Sequence, residues 1–289
     1  MDRAACGFEW EERGGLELYR ARSLQAAGPV LAAVTSRRGG VSSGPYATLN
    51  LGLGVGDDPS CVRENRDRLA RALGAPPSRI VSAPQVHGDG VAVVESGRLV
   101  PPGPADALIT RDTGLFLAGY FADCVPVFLY DPDSGAVALA HAGWRGTVLK
   151  VAAAALGAMG ARFGTRPGRV WAALGPAIGP CCYRVGEEVL QPLRRAFSGW
   201  EGLVGDGPPA GARGEDRGKD GGADPGSDQP RRPLDLVRAN LACLEAAGVD
   251  PARISVAGLC TACHPERFFS HRRDGGRTGR MAALIGLLP

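Results

Sequence analysis

Along the chain, short apolar runs alternate with segments whose apolar positions recur every three or four residues, the two spacings that separate strand from helix. The short runs predict strands over Val30–Thr35, Arg79–Ala83, Val91–Glu95, Gly114–Tyr120, Val125–Tyr130, Ala136–His141, Arg169–Leu174 and Arg253–Ala257. The helical spacing predicts a helix opened by Asp58-Pro59 and closed by Leu73-Gly74, a cap, a first-turn proline and a terminal glycine. Further helices are predicted over Thr147–Arg162, Glu187–Phe197 and Leu234–Ala247, the last closed by Gly248. Pro132-Asp133-Ser134-Gly135 lies between two strand runs and predicts a hairpin turn. Hairpins mixed with helices imply an α+β or mixed α/β layering and exclude a purely parallel sheet.

One stretch interrupts the pattern. From Gly199 to Pro233 there is almost no apolar residue, and Arg213–Arg232 holds five cations and five anions. Such a self-neutralising tract cannot build a core, and the tail after it is too short to fold alone. It reads as a polar insertion within one domain. No internal repeat is present.

Composition narrows the function more than the fold. A chain of 289 residues with 44% hydrophobic and 22% charged residues is an ordinary globular protein with room for a sizeable core. A net charge of +3 is too small for a nucleic-acid track or an anionic membrane surface. Arginine supplies every cation except Lys150 and Lys219, so arginine alone marks no site. The start, Met1 to Cys6, has no apolar signal region, and the longest apolar run, Val148 to Ala161, contains Lys150 and is too short for a bilayer. A cytoplasmic protein is expected, in which the eight cysteines act as thiols, ligands or nucleophiles.

Candidate chemistry concentrates at Ala138-Leu-Ala-His141-Ala-Gly-Trp-Arg145-Gly146-Thr147. An apolar strand ends at a histidine, passes through two glycines and enters a helix. Such a turn exposes backbone N–H groups suited to an anion, and Arg145 adds a charge-assisted donor. Cys124 precedes the strand that the hairpin folds back against His141, so pairing outward from the turn brings the two together. His87 stands in the loop Pro84-Gln-Val-His87-Gly88-Asp-Gly90. Two imidazoles and a thiolate form a zinc set with one position open; a histidine buried at a tight turn is the plain alternative. In the tail, Cys260-Thr-Ala-Cys263-His264 has the form of a haem-attachment motif, but the export context is missing. Cys260 and Cys263 could also be half of a structural zinc site, but no second pair lies at finger spacing. Vicinal Cys181-Cys182 reads as small apolar packing, and Arg272-Arg273 beside Phe268-Phe269 reads as site lining.

At these residues the sequence resembles the YfiH-like proteins, long labelled multicopper polyphenol oxidases of laccase type and now regarded as zinc-dependent purine nucleoside phosphorylases. The matching segments include Thr35-Ser-Arg37-Arg-Gly39-Gly40, Tyr46-Ala-Thr-Leu-Asn50-Leu51, Gln85-Val-His87-Gly88, Ala105-Asp106-Ala107 and Ala122-Asp123-Cys124-Val-Pro126. They continue through His141-Ala-Gly-Trp-Arg-Gly146, Leu174-Gly-Pro-Ala-Ile-Gly-Pro180, Leu234-Asp235-Leu236, Cys260-Thr261, Phe268-Phe-Ser270, Arg272-Arg-Asp274 and Thr278-Gly-Arg280. The resemblance covers residue 30 to the end as one domain, leaving residues 1–29 as an extension of unassigned role. It implies zinc ligands at His87, Cys124 and His141, and a layered α/β/β/α fold with mixed sheets. His271 departs from the aromatic residue usual after Phe-Phe-Ser, and the 199–233 insertion is longer and more polar than the usual connection.

The implied activity is phosphorolysis of adenosine, inosine and 5′-methylthioadenosine to base and (methylthio)ribose 1-phosphate, with an adenosine deaminase activity beside it. Arg37, Arg145 and Arg272 are the expected phosphate clamp, since phosphate beside C1′ offsets the positive charge developing on the sugar. No nucleic acid or membrane is expected among the partners, and no protein partner is indicated. The rival readings are a copper-dependent polyphenol oxidase, a Cys124–His141 hydrolase and a partner-binding protein with structural zinc. After His87 and His141 only His264 and His271 remain, too few to dress a trinuclear copper cluster.

Overall fold

The computed structural model describes residues 7–97, 103–205 and 231–289. The hydrophobic pattern assigns no element before Val30, yet two strands form there. β1 (Phe8–Arg13) and β2 (Leu16–Ala21) make a hairpin about Gly14-Gly15. Both glycines have positive φ, the backbone that matches a two-residue turn to strand twist. α1 (Arg22–Ala27) follows, then β3 (Val30–Thr35) and α2 (Pro59–Leu73). α2 has the predicted ends: Asp58 accepts from the Ser60 amide, and Gly74 closes it at φ 68°. Next come β4 (Ile80–Val81), β5 (Val91–Val93), β6 (Ala107–Thr110), β7 (Phe116–Phe121), β8 (Val125–Asp131) and β9 (Ala136–Ala142).

A single helix is predicted from Thr147 to Arg162, but two form: α3 (Trp144–Val148) and α4 (Val151–Phe163), broken where Lys150 takes φ +61°. After the break, α4 buries Val151, Ala152, Ala155, Leu156 and Met159. The remaining elements are β10 (Trp171–Leu174), β11 (Arg184–Val185), α5 (Glu187–Ala196), β12 (Arg232–Pro233), α6 (Leu236–Ala246), β13 (Ile254–Val256) and β14 (Met281–Leu287). Trp200–Leu203 is a short 3-10 turn within the predicted polar insertion, and residues 206–230 of that insertion lie outside the described residues.

The strands build two six-stranded mixed sheets, ordered β1-β2-β3-β14-β7-β4 and β13-β10-β8-β9-β6-β5, with β11 and β12 paired separately. Alternate residues of the central strands point to different cores, as a period of two requires. Val30, Ala32 and Val34 of β3, Leu117 and Phe121 of β7, Phe128 of β8, Val137 and Leu139 of β9 and Ala283 and Ile285 of β14 fill the space between the sheets. Val125, Val127 and Leu129, with Ala136 to Ala142 at every second position, face α4, α5 and α6. On the far side, Leu31, Phe116, Ala118, Ala282 and Leu284 pack with Leu69, Ala72 and Leu73 of α2. Helices thus cover both outer faces of one sandwich, a single α+β domain. No helix among the described residues is long and apolar enough to cross a membrane.

Candidate active site and metal centre

The predicted hairpin sets the site. Asp131 pairs with Ala136, and the antiparallel register continues to Pro126 opposite His141 and Val125 opposite Ala142. One step further out, Cys124 meets Gly143. A Cβ on Gly143 would stand 2.9 Å from Cys124 Sγ and 3.0 Å from His87 Cδ2, so only glycine leaves these side chains their room. His141 falls on the same strand face as Val137 and Leu139, at the end of the inter-sheet core, with Phe121 edge-on at 5.2 Å. His87 enters from the opposite loop with φ 60°, its ring 4.9 Å from that of His141. The donor atoms of His87, Cys124 and His141 all lie within 4.8 Å of one another.

Asp106, at the start of β6, holds this arrangement. Its carboxylate accepts the amides of Val86, His87 and Gly88 at 3.1, 3.0 and 2.7 Å and meets His141 Nδ1 at 2.8 Å. The left-handed turn at His87 is therefore fixed by the same group that orients the second imidazole. Burial opposes ionisation of Asp106, but the hydrogen bonds from His141 and the Gly88 and Val86 amides hold its pKa below the usual value. Burial also opposes a thiolate at Cys124; the His141 charge and hydrogen bonds from both imidazoles bring that thiol down to about 6. His141 is pushed up to about 9, against its burial, by the Cys124 charge and the Asp106 hydrogen bond. A thiolate beside two imidazoles is a donor set for a divalent cation. With Nδ1 of His141 committed to Asp106, Nε2 is left for the ion, the usual division of labour in carboxylate-supported metal histidines. Three protein ligands would leave one position of a tetrahedral ion open, and all three side chains line a cleft.

The cleft has a volume of about 910 Å³, ample for a nucleoside and an anion together. His87, Cys124 and His141 line it, with Tyr120, Trp144 and Tyr183 as flat walls. Four arginines reach it: Arg66, Arg145, Arg272 and Arg280. Arg145 lies over the Trp144 ring at 4.3 Å. The Arg272 amide donates to Asp123 Oδ2 at 2.7 Å, and its guanidinium donates to the Arg184 carbonyl over the Tyr183 ring. Burial pushes the Tyr183 phenol upwards, and the Cys124 charge adds to it, so the hydroxyl keeps its proton. Burial lowers Arg280, whose nearest compensating charges are Cys124 and Asp123.

Arg37, expected at the site from the sequence, is not brought to the cleft. It donates to the carbonyls of Ala47 and Pro265 and lies 4.4 Å over the Phe269 ring, tying two loops together. Nothing in the sequence pattern marks Asp106, Arg66 or Arg280. The quoted motifs contained Asp106 and Arg280, but a hydrogen-bonding carboxylate and one arginine among many have no diagnostic spacing. Likewise the Cys260–Cys263 pair does meet a second pair: Cys181 and Cys182 lie against it in space, though not at finger spacing. His271 stands at the cleft wall, and His264 lies outside it, 3.4 Å from Glu266.

Comparison with known proteins places this architecture. The family described as multi-copper polyphenol oxidoreductase laccase matches residues 31–288. The chain is 42% identical to a purine nucleoside phosphorylase YlmD of Geobacillus stearothermophilus over 96% of each chain. It is 41% identical to a purine nucleoside phosphorylase of Deinococcus radiodurans over 94% of each. The crystal structure of YlmD from Geobacillus stearothermophilus superposes with a TM-score of 0.85 at 37% identity, covering 98% of this chain and 99% of that one.

Proposed function

Because the chain belongs to the multi-copper polyphenol oxidoreductase laccase family, whose relatives over nearly its whole length are named purine nucleoside phosphorylases, we propose that it is a zinc-dependent purine nucleoside phosphorylase. Its substrates are inosine, adenosine and 5′-methylthioadenosine, with deamination of adenosine as a side activity. The observation that carries this reading is one cleft that joins the His87, Cys124 and His141 donor set to aromatic walls and several guanidinium groups.

In phosphorolysis a phosphate oxygen bonds to C1′ while the C1′–N9 bond breaks. The electron pair passes to the purine, which takes up the proton that the hydrogen phosphate gives up as it becomes the sugar ester. Arg145 and Arg272 bind the phosphate, and Arg280 adds positive charge to the same wall. No carboxylate within salt-bridge distance neutralises Arg66, Arg145 or Arg280 among the described residues, so these charges remain available to an anion. The bound dianion faces the developing positive charge at the sugar. Trp144, Tyr120 and Tyr183 offer faces for the base and exclude water. His87, Cys124 and His141 would hold a zinc ion, a Lewis acid able to polarise an oxygen of the substrate. Cys124 is then a ligand and not a nucleophile.

The family's description also names a copper oxidase. Such an enzyme needs further histidine-bound coppers, and the chain has only four histidines, two of them in the present donor set. The deciding experiment is product analysis of inosine with and without phosphate. Turnover should require phosphate and yield ribose 1-phosphate; arsenate should substitute and yield free ribose. Adenosine should also give some inosine without phosphate, and chelation should abolish both. Arg145→Ala should raise the phosphate KM or lower kcat/KM. Phosphate-independent release of hypoxanthine, or copper-dependent phenol oxidation without nucleoside turnover, would overturn the assignment.

A further inference from the structure

Away from the cleft, two loops are zipped together by their backbones. Ala177, after β10, forms a parallel bridge with Cys260, after β13. The Thr261 amide donates to the Ala177 carbonyl at 3.0 Å, and the Ala177 amide to the Leu259 carbonyl at 3.3 Å. This zip places Cys181 and Cys182 of the first loop against Cys260 and Cys263 of the second. All four sulfur atoms lie within 4.8 Å of one another, with Cys263 Sγ 3.6 Å from Cys181 Sγ and 3.4 Å from Cys182 Sγ.

Those separations identify the chemistry. Four sulfurs about 2.3 Å from a tetrahedral zinc ion stand about 3.8 Å from one another. A disulfide brings two sulfurs to about 2.05 Å and leaves the others behind. The Gly179 amide points at Cys260 Sγ at 3.2 Å, a donor that favours a thiolate. Burial opposes that thiolate, but the amides of Gly179, Cys263 and Ala262 hold Cys260 below the ordinary thiol value. Burial and the Cys260 charge push Cys181 up to about 12, and Cys182 is also raised. The Cys260 charge thus disfavours further thiolates at Cys181 and Cys182. Arg273, paired with Asp274, donates to the carbonyls of Thr261 and Ala262 and so orders the loop between Cys260 and Cys263.

We propose that Cys181, Cys182, Cys260 and Cys263 form a second metal site, a closed tetrathiolate that takes one zinc ion. Binding releases four thiol protons to solvent and involves no oxidation. Four protein ligands leave no open position, so the role is structural. The two stapled loops are those that feed the cleft. The first supplies Ile178 and Tyr183, and the second supplies His271 and Arg272. Thr261, next to Cys260, donates to Asp123 Oδ1 at 2.6 Å, and Asp123 Oδ2 accepts the Arg272 amide.

The test is metal analysis of protein prepared under reducing, anaerobic conditions with zinc supplied. The full chain should carry about two zinc ions, and Cys263→Ser and Cys124→Ala about one each. Because Cys263→Ser removes a staple between two loops, cobalt-loaded Cys124→Ala supplies a second readout that does not depend on how that variant folds. Its remaining sulfur cluster should give an intense sulfur-to-cobalt charge-transfer band and tetrahedral d–d bands, which two imidazoles cannot produce. One zinc in both the full chain and Cys263→Ser, with no charge-transfer band from cobalt-loaded Cys124→Ala, would overturn the proposal. A disulfide among these four cysteines that persists in the reduced, zinc-supplied protein would overturn it as well.

Discussion

Three backbone amides and one imidazole converge on the carboxylate of Asp106, and an amide side chain cannot satisfy them all. Asp106→Asn keeps the shape but replaces one acceptor oxygen with a donor, so the turn through His87 loosens and His141 loses its charged partner. Metal affinity at the His87–Cys124–His141 centre should fall roughly 10- to 100-fold, measured by competition with a chromophoric chelator, while circular dichroism stays that of the native fold. Unchanged affinity would mean that the histidines are oriented by something else. At this scale Cys124 and His141 were legible because the hairpin brings them together, whereas His87 was legible only from its loop and from the resemblance. Asp106 was not, since its work is done by hydrogen bonds to residues 18 to 35 positions away. The arginines were half legible: Arg145 and Arg272 reach the cleft, whereas Arg37 stands in a quoted motif and serves loop packing.

The ends of α2 were readable because capping chemistry is local; the start of α6, predicted at Leu234, lies two residues later behind an Asp235 cap that the pattern did not mark. Asp235, whose carboxylate accepts the Arg238 amide at 2.9 Å, caps α6, and Leu236 in its first turn lines the cleft. Asp235→Ala should cost about 1 kcal/mol, seen as a lower midpoint in urea at unchanged slope. No change in midpoint would show that the helix start is held by packing alone. The break at Lys150 has no such local signature, because a lysine in left-handed backbone looks like any other lysine in the sequence. β6 and β14 were missed for a different reason. Ala107-Leu-Ile-Thr110 is only four residues long, and the alanines and glycine of Met281-Ala-Ala-Leu-Ile-Gly-Leu287 weaken its β signal. β1 and β2 are legible in retrospect from Gly14-Gly15, flanked by runs with aromatic residues.

Across the whole molecule, stability resides in three apolar layers, and the one between the sheets joins both halves. Phe128, fully buried there, should cost about 3–5 kcal/mol when replaced by alanine. Leu149→Ala, at a half-exposed position, should stay within about 0.5 kcal/mol; thermal or urea unfolding compares the two. Equal effects would show that the inter-sheet layer is not the principal core. The layering itself came from the resemblance and not from periodicity, because strands covered on both faces lose the alternation that would reveal their neighbours. One consequence of the sheet order reaches back to how such a chain comes into being. β14 lies between β3 and β7, pairing Ala283 with Val34 and with Gly119. On a ribosome, β3 and β7 emerge early and must wait, with a strand-wide gap between them, for the last strand of the fold to be made. Arg280, the residue just before β14, reaches the cleft wall only when that gap closes. A nascent chain halted before Met281 thus has neither the middle of its sheet nor a finished cleft.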